Sequence, residues 1–351
     1  MRYLLALSLL LPALQVFAQG QPPADELVST FSIVGYDAET GDLGIAVQSK
    51  FPNVRPIVPW LEAGVGAVAT QSFAELDYGM QGLELMEEGA TAEEALRIVM
   101  RGDSNTEWRQ VGIVDAYGNA VSWTGADCFA WAGGRVGQQD STGAHTAPAV
   151  AEAGQIITGK GYTVQGNILV SAETVDAMAH AYESTEGPLA EKLLAALIAG
   201  GEAGGDQRGE QSAALVVVRE DAGYDGLDNY IDISVYDHPT PIAELARLYE
   251  LNRLYFTEGV PENRVEVTPE IARELQEIWT ERGFYDDEID GAVDAEFKTI
   301  LIDFMGWENY DMRIQAIRNT NVEAGAPLYL DRAVLDDIRD VFSTGRWKPK
   351  N

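Results

Sequence analysis

Two neighbouring hydroxyls, Ser29 and Thr30, stand at the front edge of the alternating run "TFSIVGY". Such a pair is either the polar start of a strand or a nucleophile whose own α-amine, once freed, takes the proton. Other polar side chains interrupt apolar, strand-like stretches. Gln48, Ser49 and Lys50 close one run, Thr70, Gln71 and Ser72 close another, and Gln165 and Asn167 lie within "YTVQGNILV". In "GGDQRGEQSAALVVV", Asp206, Arg208 and Gln211 lead into a buried strand from a loop bounded by Gly204, Gly205 and Gly209. Those glycines permit positive φ and close backbone approach. Asp206 and Arg208, two positions apart, suit either an ion pair or a division between substrate binding and orientation. Singly, each of these residues also suits a plain structural role, because strand-end amides satisfy exposed backbone. Together they suggest a cleft.

Other chemistries lack their residues. His145, His180 and His238 are widely separated, and neither HExxH nor CxxC nor a calcium-loop ladder occurs, so no metal site is expected. Asp286-Asp287-Glu288 with Asp290 lacks calcium-loop spacing and suits a solvated turn. Without a phosphate loop, a dinucleotide fingerprint or a nucleophile elbow, no cofactor is expected. Cys128 is the single cysteine and has no adjacent base in "TGADCFAWAGG", which suits a buried, inert thiol. The 351 residues carry 24 Lys and Arg against 56 Asp and Glu, a formal charge of −32. That field repels phosphate backbones and anionic lipids, which argues against nucleic-acid binding and peripheral membrane attachment. At the start, Arg2, the apolar residues 4–16 and the Val16-Phe17-Ala18 cleavage site form a secretory signal over residues 1–18. The expected product is exported, periplasmic or secreted, begins near Gln19, and inserts in no membrane after processing.

The elements that must position these residues follow from periodicity. Period-two runs predict strands over 30–37, 43–49 and 64–70. The period then lengthens, predicting helices in "YGMQGLELMEEG" and "TAEEALRIVMRG", the second opened by Thr91 with Glu94 three residues later. Strands return over 109–115 and 119–124, and a Gly-, Thr- and Ala-rich loop is expected over 133–160. A strand over 162–170, helices near 173–185 and 188–200, and strands over 212–219 and 229–236 complete the segment. Strands and helix pairs in this order are not strict βα alternation. They predict an α+β fold in which two antiparallel sheets pack face to face with helices outside, a four-layer αββα sandwich. His238-Pro239-Thr240-Pro241 ends it near residue 240. A helix and linker over 241–262 then lead to a small, mainly α-helical domain over 263–345, with Thr268 as N-cap and Pro269 as first helical residue.

The stretches "TFSIVGYDAETGDLGIAVQSKFPNV", "GVGAVATQSFAELDYGMQGLELMEEG", "EWRQVGIVDAYGNAVSWTGADCFAWAGG", "QGNILVS" and "GDQRGEQSAALVVVRE" together resemble the bacterial DUF1028 family over residues 30–238. That family is grouped with the N-terminal-nucleophile (Ntn) hydrolases. The resemblance therefore implies an αββα domain over 30–240 and a nucleophile at Thr30 with its α-amine, of pKa about 8, as base. Related chains look as though they begin Met-Thr-Phe-Ser. Here signal removal leaves a leader over residues 19–29, so a second cleavage at Ser29–Thr30 is required. Lys50 is then the nearest cation for lowering a pKa. Asn167, or backbone N–H groups near Gly205 or Gly209, would hold an oxyanion. Gln48, Gln71, Asp206, Arg208 and Gln211 would bind and orient a polar substrate. Residues 135–161 exceed the matching family loop and could gate the cleft. Further on, "ELQEIWTERGFYDDEIDGAVDAEFKTILIDFMGWENYDMR" resembles a peptidoglycan-binding domain, with Tyr285, Trp307 and Tyr310 as candidates for stacking on cell-wall sugars. The expected function is an exported hydrolase cleaving an amide in a small or short-peptide substrate, with a wall-directed C-terminal module. The alternatives are a non-catalytic ligand-binding protein on an Ntn-like scaffold and a domain that serves homo-oligomer assembly.

Overall fold

In the computed structural model the described residues are 27, 28 and 30–346. The expected signal segment, and all of the leader except residues 27 and 28, lie outside them. The described chain opens with β1 (Leu27–Val28), β2 (Thr30–Tyr36), β3 (Leu43–Ser49), β4 (Pro59–Glu62) and β5 (Gly66–Phe73), then α1 (Asp77–Glu87) and α2 (Ala92–Gly102). Six strands follow: β6 (Arg109–Asp115), β7 (Asn119–Thr124), β8 (Gly133–Gln139), β9 (His145–Ala151), β10 (Ile156–Lys160) and β11 (Tyr162–Gly166). Next come α3 (Glu173–Ser184), α4 (Leu189–Glu202), β12 (Ser212–Val218), β13 (Asn229–Val235) and α5 (Pro241–Phe256). The C-terminal part contains β14 (Arg264–Glu266), α6 (Pro269–Arg282), α7 (Ala295–Trp307), α8 (Asp311–Arg318), β15 (Tyr329–Asp331) and α9 (Arg332–Thr344).

The class is α+β, with antiparallel sheets. One sheet has the order β1-β5-β6-β7-β10, with β4 on the same edge of β5 as β1; the other runs β13-β12-β3-β2-β11-β8-β9. Alternation in β2 shows how the core is divided. Phe31 and Ile33 point toward Met178, Leu193 and Leu197 of α3 and α4. Val34 joins Ile45, Val47, Ala69 and Val114 in a cluster fed by both sheets. The other sheet packs Val68, Val111 and Ile113 against Tyr78, Leu83 and Leu96 of α1 and α2. Strands buried on both faces explain runs such as "SAALVVV", which lack the polar alternation of a half-exposed strand.

The cap at α2 forms as expected: Thr91 Oγ1 accepts from Glu94 N while Glu94 returns a bond to the Thr91 backbone. The loop expected over 133–160 is instead β8, β9 and β10. In β8 and β10 glycine accounts both for the close strand packing and for the weak strand signal. A Cβ on Gly134 or Gly137 would lie 2.2 or 2.3 Å from the carbonyl oxygens of Val164 and Lys160, so close strand packing there needs glycine. The same residues dilute the apolar signal that marks a strand.

Beyond β13, α5 joins the two parts. Leu245 and Tyr249 pack with the first core, whereas Leu254 belongs to a separate cluster around Trp279, Leu301, Phe304, Leu330 and Val334. Thr268 caps α6 through Ile271 N with Pro269 at its first turn, as the sequence indicates. Trp279 is fully buried at the centre of this second cluster. Trp279→Ala should cost about 3–5 kcal/mol of unfolding free energy, as large-to-small substitutions at buried aromatic sites do. Urea titration followed by circular dichroism measures it, and a change under 1 kcal/mol would place the organising contact elsewhere.

Candidate functional site

At the Thr30 end, the interior between the sheets changes from apolar to polar. Thr30, Ser32, Ser49, Gln71, Gln110, Thr124, Gln165 and Asn167 are all fully buried, and none is charged. Burying so many polar groups is tolerable only if they bond to one another. Gln71 Nε2 donates to Gln110 Oε1 at 2.9 Å, and Asn167 Nδ2 donates to the same oxygen at 2.9 Å. Gln110 Nε2 donates to Gly166 O at 2.8 Å and Thr124 Oγ1 at 3.0 Å. Ser32 Oγ donates to Gln71 Oε1 and accepts from Gln165 Nε2, both at 2.7 Å. The Asn167–Gln110, Gln110–Gly166 and Ser32–Gln71 bonds cross from one sheet to the other. Gly112 makes room for the crossing, because a Cβ there would lie 2.2 Å from Gln165 Oε1.

Thr30 is held from several sides. Its register partner is Ser49, and its Oγ1 donates to Ser49 Oγ at 3.0 Å. Its carbonyl accepts from Asn167 N at 3.0 Å and from Gln71 Nε2 at 3.3 Å. Val28, two positions earlier, belongs to the other sheet, where Leu27 and Val28 pair with Phe73 and Ser72. The chain thus joins the two sheets immediately ahead of Thr30.

The structure gathers most of the anticipated residues at this end. Lys50 follows Ser49 and its ammonium donates to Glu210 O at 3.1 Å. The Asp206 carboxylate, buried, accepts from Arg208 N at 2.8 Å and from its guanidinium at 3.1 Å. Arg208 also reaches Lys50 O at 3.4 Å, and Gln211 N bonds Ser49 O at 3.2 Å, so this loop braces the end of β3. Gln211 turns its amide to Asp237 at 2.9 Å. Gln48 is elsewhere: its register partners are Phe31 and Ala213, which face α3 and α4, so it lies on the opposite face of the sheet from Thr30. Neither polar atom of the Gln48 amide has a hydrogen-bond partner among the described residues.

The polar layer also includes Ser32, Gln110 and Thr124, which residue type alone does not single out. A signal was present: in "RQVGIVD", period two puts Gln110, Gly112 and Val114 on one face. Backbone strain collects at the same end. Ser72 and Ile168 have φ of 71° and 52°, and Gly204, Gly205 and Gly209 also have positive φ. A β-branched residue such as Ile168 pays of order 1–3 kcal/mol for that conformation, which surrounding structure must offset. Nearby, burial foremost pushes the Cys128 thiol up to about 11, with the Glu107 and Asp127 carboxylates adding to it, so it stays protonated at neutral pH.

Among the described residues no group of three or more His, Cys, Asp or Glu side chains could hold a metal ion, and no helix is long and apolar enough to cross a membrane. In the C-terminal part, Trp307 is exposed and meets Phe284 edge-on. Tyr285 donates its hydroxyl to Glu288 O at 2.5 Å. Tyr310 is different from the expected surface contact: its ring is buried, stacks on Tyr255 at 5.3 Å, and its hydroxyl donates to Asp337 at 2.6 Å. It is a core residue and has no free face for a sugar.

A family model described as "Family of unknown function (DUF1028)" matches residues 30–142 and 134–245. The crystal structure of protein SPO2555 from Silicibacter pomeroyi, of the same family, is 27% identical, with a TM-score of 0.53 over 64% of this chain and 89% of that one. The ancestral β-subunit Anbu of Yersinia bercovieri is 13% identical over 63% of this chain and 94% of its own, with a TM-score of 0.28. No curated protein matches.

The two buried glutamine environments predict opposite outcomes. Gln110→Met leaves the Gln71 and Asn167 amides and the Gly166 carbonyl short of partners and should cost about 2–5 kcal/mol. Gln48→Met removes an unpartnered amide and should be neutral or stabilising by about 1 kcal/mol. Urea unfolding of both variants checks the contrast, and equal losses would contradict it.

Proposed function

The chain belongs to the DUF1028 family, and from that premise we propose that it is an exported N-terminal-nucleophile hydrolase that cleaves an amide bond in a small or short-peptide substrate. On this reading the two sheets with their outer helices form an αββα sandwich, and the observation that carries the proposal is the position of Thr30. It begins a central strand, its hydroxyl meets Ser49 Oγ at 3.0 Å, and amides from both sheets hold its carbonyl. Once residues up to 29 are removed, the Thr30 amine becomes a base beside Oγ1, taking its proton as Oγ1 attacks the substrate carbonyl. The resulting oxyanion needs donors that are already oriented, and Asn167, fixed against Gln110 and Thr30, is the nearest candidate. Removal of the leader also strips β5 of its partner at Ser72 and Phe73, leaving an edge on which an extended substrate pairs. The fully buried polar side chains around Thr30, from Ser49 and Gln71 to Asn167, are uncharged, which suits a neutral amide. Asp206 and Arg208, paired with each other, brace the strand end and act on substrate through position.

The second reading, a non-catalytic ligand-binding protein, is favoured by one observation: Thr30 is fully buried and preceded by a paired strand, so its nitrogen is an amide and no base. The C-terminal unit is proposed to be wall-directed, with exposed Trp307 as the stacking ring and Tyr285 as a second contact.

A chain processed to begin at Thr30, compared with its Thr30→Ala counterpart against a panel of amides and dipeptides, separates the two readings. The hydroxyl's bond contributes about 1 kcal/mol, so the variant should fold. It should lose all turnover of any amide the parent hydrolyses. Full activity in Thr30→Ala would remove Thr30 from the mechanism.

A further inference from the structure

A sizeable cavity lies away from Thr30. A half-open groove of about 920 Å³ sits where β2 ends at Tyr36, six residues along the strand from Thr30. At about 3.4 Å per residue the separation is roughly 20 Å, so the groove and the Thr30 end are distinct places. Its volume falls in the range of about 300–1,000 Å³ typical of small-molecule sites.

The charges lining it do not balance. Asp37 and Glu39 come from the β2–β3 turn, and Glu183 and Glu186 from the end of α3 and the connection to α4. Against them stand Lys160, Lys192 and Arg219. Arg219 is already neutralised by both oxygens of buried Asp42 and lies 4.5 Å over the Tyr230 ring. Lys160 donates to the neutral Asn119 side chain. Glu183 accepts the Tyr162 hydroxyl at 2.6 Å, but Glu39 and Glu186 have no side-chain partner among the described residues, and neither has Lys192. Burial first, and the Asp37 carboxylate second, push the Tyr182 hydroxyl above its ordinary value, as expected for a ring lodged under this acidic wall. Four carboxylates therefore face two uncompensated ammonium groups. Tyr36, Tyr117 and Tyr230 line the same groove, and Tyr117 is 84% exposed.

We propose that this groove is a second binding site, for a short peptide that carries more ammonium than carboxylate charge. Its amines sit between Glu39 and Glu186 and against tyrosine faces, which attract cations through the ring quadrupole. Its single carboxylate meets Lys192, whose three donors are free for it. A purely anionic ligand meets the excess of carboxylates and is repelled, in a protein whose net charge of −32 repels it already.

Isothermal titration of the full chain with the dipeptide Ala-Lys at low salt tests the site directly. Saturable one-to-one binding is expected, weaker at higher salt. Ala-Glu should bind at least about fivefold more weakly. The paired substitutions Glu39→Gln and Glu186→Gln, on exposed turns where folding should not suffer, should weaken Ala-Lys by roughly three- to tenfold. Lys192→Ala should weaken Ala-Lys but leave its C-terminal amide unaffected. Thr30→Ala should bind Ala-Lys like the parent, which separates this site from the proposed nucleophile. Absence of saturable Ala-Lys binding, equal binding of Ala-Glu, or binding that survives Glu39→Gln/Glu186→Gln unchanged would overturn the proposal.

Discussion

A buried carbonyl oxygen, Gln110 Oε1, is the point on which the two sheets agree. It accepts from Gln71 of its own sheet and from Asn167, which follows β11 of the other, while the same side chain donates to Gly166 O. Polar groups cut off from water must be satisfied completely or they destabilise the fold, so the layer tolerates little sliding of one sheet over the other. A one-residue slip in any contributing strand would turn its amide to the opposite face and leave its partners stranded. The apolar cluster around Val34, Val47 and Val114 supplies burial at the other end of the same interface but carries no such directional demand.

The consequences reach Thr30. Fixed sheets fix β2 against β3, and hence Thr30 against Ser49, to a hydrogen bond of 3.0 Å. They also hold the positive-φ residues Ser72 and Ile168 on either side of the polar layer, in conformations that side chains other than glycine avoid. The pairing of residues 27 and 28 with β5 places the segment ahead of Thr30 on one sheet while Thr30 itself belongs to the other. One arrangement thus serves as a stable interior and, on the proposed function, as a preset frame awaiting a free amine.

Much of this was legible in the sequence. Helix α5 runs from Pro241 to Phe256, as the amphipathic pattern indicates, and the Thr91 and Thr268 caps form where hydroxyls precede helical periodicity. Strands were legible where β-branched residues dominate, as in β6 and β12. They were not legible in β8 and β10, whose glycines admit neighbouring backbone and leave little pattern behind, or in β9, most of whose residues are exposed. At the site, the polar ends of β3 and β5 drew notice as residue types. Which face each occupies is a matter of register, and register separates Gln48 from Gln71 although both are buried glutamines near strand ends. The role of Gln110 depends on Asn167, distant in sequence, and only the packed sheets bring them together. Tyr310 shows the same limit for aromatic residues: composition marks a ring as able to stack, and only burial decides whether it faces solvent.

The central claim is that the framework around Thr30 is completed by freeing its amine. Intact-mass and N-terminal peptide mass spectrometry of the mature protein recovered from its native host test this most directly. The account predicts that the first residue of the functional chain is Thr30, with the preceding leader absent. A mature protein that hydrolyses an amide while its N-terminus is still Gln19 would contradict it.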